Sequence, residues 1–148
     1  MAAKKKQSVF VYAPVAARLL LGGVLCYAGF NKLTDVPKFA TDIHNFRILP
    51  VVLERIVAVV LPWNELVVGA LLILGIWTRA AALASLLFFT VFAVAVSSAI
   101  ARNLNIECGC LGHADASKVG AVTLVKDAVL FALGLYIYLQ SAGRVSKN

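Results

Sequence analysis

Residues 50–77 read PVVLERIVAVVLPWNELVVGALLILGIW, and after Thr78 and Arg79 the chain continues over residues 80–100 as AAALASLLFFTVFAVAVSSAI. Either run is long enough to cross the hydrocarbon layer of a bilayer, which takes about 20 mostly apolar residues in an α-helix. Pro50 suits a helix start, where the N–H that proline lacks would have no partner. Arg79 marks a short turn between the two runs.

Two further blocks lie outward of these. The first covers about residues 9–30, interrupted by Arg18, and the last about 119–139. A cleaved signal peptide would show a clean apolar core and a small-residue cleavage site, and the first block has neither. Leu25 before Cys26 also departs from the small residue that a lipoprotein cleavage site wants, so the block is expected to be a retained span. Between the first two spans, residues 35–47 are too polar to cross, but Phe39, Ile43 and Phe46 fall on one helical face. That spacing predicts a short helix in the interface with its phenyl rings dipped into the headgroup boundary, with a plain surface loop as the alternative. The expected fold is all-α: a four-helix transmembrane bundle with a short interfacial helix between the first and second spans, one domain over residues 1–148.

Composition agrees. Of 148 residues, 61% are hydrophobic and 14% charged, and the mean hydropathy is +0.90. A soluble globular domain carries nearer half apolar and a quarter charged residues, and a disordered chain is far more polar. The net charge of +7 comes from 14 Lys and Arg against 7 Asp and Glu. These cations are scattered between apolar blocks, with no basic stripe interleaved with aromatics, so no nucleic-acid partner is expected. The partner that composition demands is the lipid bilayer.

Four spans put both termini on one side. That side has Lys4, Lys5, Lys6, Arg79, Arg144 and Lys147, six basic residues, against Lys32, Lys38, Arg47, Arg102 and Lys118, five, on the other. With the Lys4 to Lys6 cluster ahead of the first span, the positive-inside rule favours cytoplasmic termini. Residues 101–118 would then face the periplasm or exterior, an oxidising compartment.

Two of the three cysteines lie in that connection, in Glu107-Cys108-Gly109-Cys110-Leu111-Gly112-His113. A Cys-x-Cys disulfide closes a small ring that needs a sharp bend, which Gly109 tolerates. Such a bridge would be strained, and strained bridges exchange readily. The N-terminal end of the last helix, His113 and Lys118 would each favour a thiolate nearby. Two other readings compete with exchange. The bridge could be a static staple, or Cys108, Cys110 and His113 could hold a soft metal, although three ligands without structural-zinc spacing fit that less well. Cys26 lies about 6 Å below the outer end of the first span at about 1.5 Å per residue, on the same side as the pair. It is a candidate relay, or a small residue in a helix interface.

Arg18, Glu65, Lys126 and Asp127 fall inside spans, where an ionisable group is costly and usually meets a partner or cavity. Arg18 and Glu65 come to similar depth and are expected to pair, fixing the first two spans against each other. The functional reading makes them a polar wall for a quinone headgroup or a proton path. Lys126 and Asp127 point about 100° apart, with Glu54 and Arg55 as candidate partners. Pro62 is expected to kink its helix and free a carbonyl, and Trp63 to pack on neighbouring helices or on a flat ring.

Arg18-Leu-Leu-Leu-Gly22, Ala28-Gly29-Phe30-Asn31-Lys32-Leu33, Ile48-Leu49-Pro50 and Pro62-Trp-Asn-Glu65-Leu-Val-Val-Gly69 together resemble the DoxX and MauE-like membrane proteins. Cys108-Gly-Cys110-Leu-Gly112 followed by Lys126-Asp127 resembles the MauE branch in particular, with Leu111 where an aromatic is usual. The resemblance runs from about Arg18 to Leu139. It implies a four-helix protein of the prokaryotic cytoplasmic membrane associated with thiol or sulfur redox chemistry. MauE is a factor needed to mature a periplasmic, disulfide-rich amine dehydrogenase subunit, and DoxD-type relatives belong to a quinone-reducing thiosulfate oxidoreductase. Carried onto this chain, Cys108 and Cys110 would be the redox pair, and Arg18, Glu65, Lys126 and Asp127 the shared intramembrane polar set.

The leading expectation is a membrane thiol-disulfide oxidoreductase or maturation factor. Cys108 and Cys110 would exchange with a periplasmic thiol protein, assisted by His113 and Cys26, and a quinone held near Arg18, Glu65, Trp63, Lys126 and Asp127 would be the cofactor. The alternative is a non-catalytic membrane anchor or assembly subunit of a larger complex.

Overall fold

The computed structural model describes residues 2–104 and 121–145, with side chains described over 12–104 and 122–141. Among the described residues five helices follow in order: α1 (Ala2–Thr34), α2 (Val36–Phe46), α3 (Val51–Leu74), α4 (Thr78–Ala101) and α5 (Ala121–Val145). Four of them are long and apolar enough to cross a membrane, over Tyr12–Thr34, Val51–Leu74, Thr78–Ala101 and Val122–Ser141. The chain is a multi-pass, all-α transmembrane bundle. No strand occurs among the described residues.

The breaks between helices have local causes. Gly75 takes the left-handed conformation (φ 75°) that ends α3, its N–H returning to Leu71 O at 2.9 Å, and Trp77 is left-handed as well. α4 therefore starts at Thr78, and Arg79 belongs to its first turn rather than to the turn itself. α1 runs on past Phe30 to Thr34 because Asn31-Lys32-Leu33 contains no helix breaker. Asp35 then caps α2, its carboxylate accepting from Lys38 N at 3.1 Å. α3 passes through Pro62 without a break in the helix.

Without water to drive apolar surfaces together, helices in lipid associate by close packing, and small residues permit it. α1 and α3 use this device. A methyl added at Gly22 would lie 2.7 Å from Gly69 O, one at Gly69 2.7 Å from Cys26 Sγ, and one at Gly29 2.8 Å from Pro62 O. α4 packs on α5 in the same way, Gly134 lying under the buried Ser85 hydroxyl. The α1–α3 pair and the α4–α5 pair pack more extensively within themselves than against each other. Leu21, Leu72, Ala82 and Ile137, all nearly inaccessible, fill the space between them. Leu53, Val60, Val67, Leu87, Val94 and Val129 face outward to lipid.

α2 is the short helix expected from the sequence between the first two spans, and part of its apolar face packs on protein. Phe39 is buried and sits over Lys32, while Ile43 and Phe46 are half-buried. The register of α1 on α3, with Gly29 against Pro62 and Glu65, leaves the first turns of α3 beyond the end of α1, and α2 folds back onto that part. Arg102, beyond the end of α4, closes the arrangement by donating to Phe46 O at 2.9 Å and Arg47 O at 3.5 Å.

Candidate functional site

The bundle has a terminus end, where α1 begins and α5 finishes, and a loop end, where α4 finishes and α5 begins. The buried charges lie in the half toward the loop end. Nearest that end, His44 Nδ1 on α2 lies 3.0 Å from Glu54 Oε2 and 3.2 Å from Oε1, with Glu54 buried. Deeper, near the middle of α3, Lys32 Nζ donates to Glu65 Oε1 at 2.5 Å, and both residues are buried (5% and 7% exposed). The Phe39 ring lies 5.3 Å from the Lys32 ammonium, within cation–π range.

A charge at the middle of a spanning helix costs about 2.5–3.5 kcal/mol on insertion scales, so a partner of opposite sign is the expected remedy. The sequence suggests Arg18 for Glu65, and the structure assigns Lys32 instead. The α1–α3 contacts set the register: Gly22 and Cys26 lie against Gly69, and Gly29 against Pro62 and Glu65. Arg18 is thus about three turns, roughly 16 Å, closer to the terminus end than the level of Glu65. Its Nε donates to Leu72 O at 3.2 Å, and its guanidinium lies over Gly75. The depth estimate fails because α1 is longer than the apolar block at residues 9–30, which moves Lys32 from the connection into the span.

The lysine satisfies one carboxylate oxygen only. Glu65 Oε2 is buried with no hydrogen-bond partner among the described residues, as is Thr123 Oγ1 on α5. One turn after Thr123, Asp127 is buried (7% exposed) while its neighbour Lys126 is exposed. Glu54, a candidate partner for these two, is engaged by His44, and Arg55 is exposed. Cys26 Sγ lies 3.8 Å from Leu66 O and packs on Gly69, which places the sulfur in the α1–α3 seam. Cys108, Cys110, His113 and Lys118 lie outside the described residues. Their connection leaves from Leu104 and returns at Ala121, both at the loop end.

Trp63 is 58% exposed and faces lipid. A cavity of about 650 Å³ opens at the terminus end, and of the five residues expected to hold a quinone only Arg18 borders it. With Arg18 and Glu65 about three turns apart and Trp63 turned outward, the five do not form one headgroup pocket. No group of three metal-ligating side chains occurs among the described residues. What the arrangement offers chemically is a buried carboxylate with one free oxygen, held by an ammonium, in a helix that extends to the end carrying the cysteine connection.

Lys32, Phe39, the His44–Glu54 pair and the glycine seam were not legible as functional or packing partners. The usable signals were the lack of a breaker between Phe30 and Asp35, and the small residues at 22, 26, 29 and 69.

Residues 10–140 match the family described as Methylamine utilisation protein MauE. Among curated proteins, the chain is 33% identical over 123 residues to the methylamine utilization protein MauE of Paracoccus denitrificans, covering 82% of this chain and 66% of that protein. It is 34% identical over 121 residues to the same protein of Paracoccus versutus (81% and 65%) and 32% over 124 residues to that of Methylophilus methylotrophus (82% and 65%). The chain spans just under two thirds of the length of these relatives. No solved structure matches it. The family match over most of the chain and the three relatives at about one third identity establish that this protein belongs to the MauE family.

Proposed function

We propose that this chain is an accessory membrane protein of methylamine utilisation that exchanges disulfides with a periplasmic partner through Cys108 and Cys110. The supporting observation is the Cys108-Gly109-Cys110 sequence in a connection tethered at both ends to the loop end of a four-helix bundle. The reading places both termini in the cytoplasm. The charge distribution supports this: Lys4, Lys5, Lys6, Arg79, Arg144 and Lys147 belong to the terminus side, three of them clustered just ahead of the first span.

One exchange balances with the loop disulfide itself as the oxidant, and restoring that disulfide for another round takes a two-electron acceptor, a quinone or a second protein disulfide. A substrate thiolate attacks one sulfur of the Cys108–Cys110 disulfide, forming a mixed disulfide and releasing the other cysteine as thiolate. The second substrate thiol then attacks the mixed disulfide, so the substrate leaves as a disulfide and the pair as a dithiol, two electrons and two protons having passed to the loop. His113 is positioned in sequence to take and return the proton on the leaving sulfur. Cys26 is assigned a packing role because its sulfur lies against Gly69 and Leu66 O.

The test is redox trapping in intact cells with a membrane-impermeant, mass-adding thiol reagent. The expected result is that Cys108 and Cys110 label from outside after mild reduction, reoxidise, and fail to cycle when either is replaced by serine. Labelling without cycling would sink the exchange mechanism and favour the assembly-subunit reading. Access only from the cytoplasmic side would overturn the topology and the mechanism together.

A further inference from the structure

The cavity at the terminus end joins the two helix pairs. Arg18 reaches it from α1, Arg79 and Leu83 from α4, and Ile137, Tyr138 and Ser141 from α5. Neither arginine has a carboxylate partner among the described residues. Arg18 donates to a backbone carbonyl, and Arg79 lies 5.5 Å from the Tyr138 ring with its Nη2 3.5 Å from the hydroxyl. The segments that form this end, residues 12–22, 70–83 and 134–141, contain no Asp or Glu at all. Two guanidiniums thus border one cavity with no anion among the described residues to neutralise them.

The rest of the wall is mainly apolar, and it borders the bilayer: Leu83 is 56% exposed on the lipid side. Trp77, beside it in the α3–α4 turn, is 78% exposed, and a tryptophan in that place marks the headgroup level. A free phosphate would use the cations but not the apolar wall. A zwitterionic lipid would use the wall but bring its own ammonium against the arginines.

We propose that this cavity holds one anionic phospholipid, its phosphate between the Arg18 and Arg79 guanidiniums and an acyl chain along Leu83. Guanidinium is suited to such a phosphate because its planar fork donates two parallel hydrogen bonds. The lipid would bridge the α1–α3 pair to the α4–α5 pair, which pack less extensively against each other than within themselves. This assignment rests on the described residues at the terminus end and is independent of the cysteine chemistry.

The experiment is native mass spectrometry of the full chain released from detergent with dioleoyl-phosphatidylglycerol or dioleoyl-phosphatidylcholine at equal concentration, with inorganic phosphate as a separate competitor. The expected result is one tightly retained phosphatidylglycerol, favoured over phosphatidylcholine by about fivefold or more per arginine. Arg79→Gln should remove about fivefold of that preference, and Arg55→Gln, at the opposite end, should leave it in place. Arg18→Gln should act like Arg79→Gln. If its loss of the Leu72 contact prevents folding, the Arg79 variant decides alone. Equal retention of the two lipids, or an equal effect of Arg55→Gln and Arg79→Gln, would overturn the site. Displacement of the lipid by inorganic phosphate would assign the two arginines to a free anion and overturn the lipid.

Discussion

Replacing Lys32 by methionine removes the ammonium from a pair whose side chains are 5% and 9% exposed and whose contact is 2.5 Å. Glu65 Oε1 then loses its lysine donor, while Oε2 already has no partner among the described residues. Removing one member of a buried ion pair costs about 3–5 kcal/mol, because the remaining charge is left desolvated and uncompensated. That is a factor of roughly a hundred to several thousand in the folding equilibrium. Adding Glu65→Leu removes the stranded carboxylate and fills its place with apolar volume, so the double variant is expected within about 1 kcal/mol of the parent. The assay is reversible unfolding of the purified chain in mixed lipid and detergent micelles by added dodecyl sulfate, read by helix signal across parent, both single variants and the double. A Lys32→Met variant within about 1 kcal/mol of the parent, or a double variant as unstable as the worse single, would refute the idea that this pair carries the packing of α1 on α3. A stable double variant that has lost activity would assign the Glu65 carboxylate a chemical role as well.

Gly69→Ala should cost about 1–3 kcal/mol by overpacking, since its new methyl meets Cys26 Sγ at 2.7 Å and Gly22 O at 2.8 Å. Gly23→Ala, which meets nothing within 4 Å, should be neutral or gain up to about 1 kcal/mol of helix propensity; the same micelle titration checks both, and equal losses would contradict the seam. Arg102→Gln removes the donors to Phe46 O and Arg47 O, which should loosen the C-terminal turn of α2 by about 1 kcal/mol. Amide exchange there should speed up about fivefold, and unchanged protection would mean that Arg102 is not what holds α2 down.

The four spans were legible because twenty-residue apolar runs have few alternatives in lipid or water. α2 was legible from the spacing of Phe39, Ile43 and Phe46, and its capping residue Asp35 stands where a helix start wants one. The face that α2 presents was not, because alternation of apolar residues does not say whether protein or headgroups will cover them. The partner of Glu65 was missed for a related reason. Hydropathy ends the first span at Phe30, whereas the backbone ends it at Thr34, four residues later, and that difference moves a lysine into the membrane. Depth counted from apolar boundaries is blind to the register that Gly22, Gly29 and Gly69 impose on α1 and α3. The cysteine chemistry rests on the motif alone, since Cys108 and Cys110 lie outside the described residues.

The partition of the bundle into two helix pairs bears on how a thiol event could be felt inside the membrane. Leu104 and Ala121, the anchors of the cysteine connection, both belong to the α4–α5 half. Lys32, Glu65, Phe39 and Glu54 belong to the other half with α2. Arg102 ties the halves together at the loop end through the carbonyls of Phe46 and Arg47, and it stands two residues before Leu104. Under the proposed disulfide exchange, a pull on the connection would reach this guanidinium clamp first, and through it the helix that roofs the buried ion pair. The clamp would then act as a lever arm between a covalent change in the loop and a charge pair among the helices.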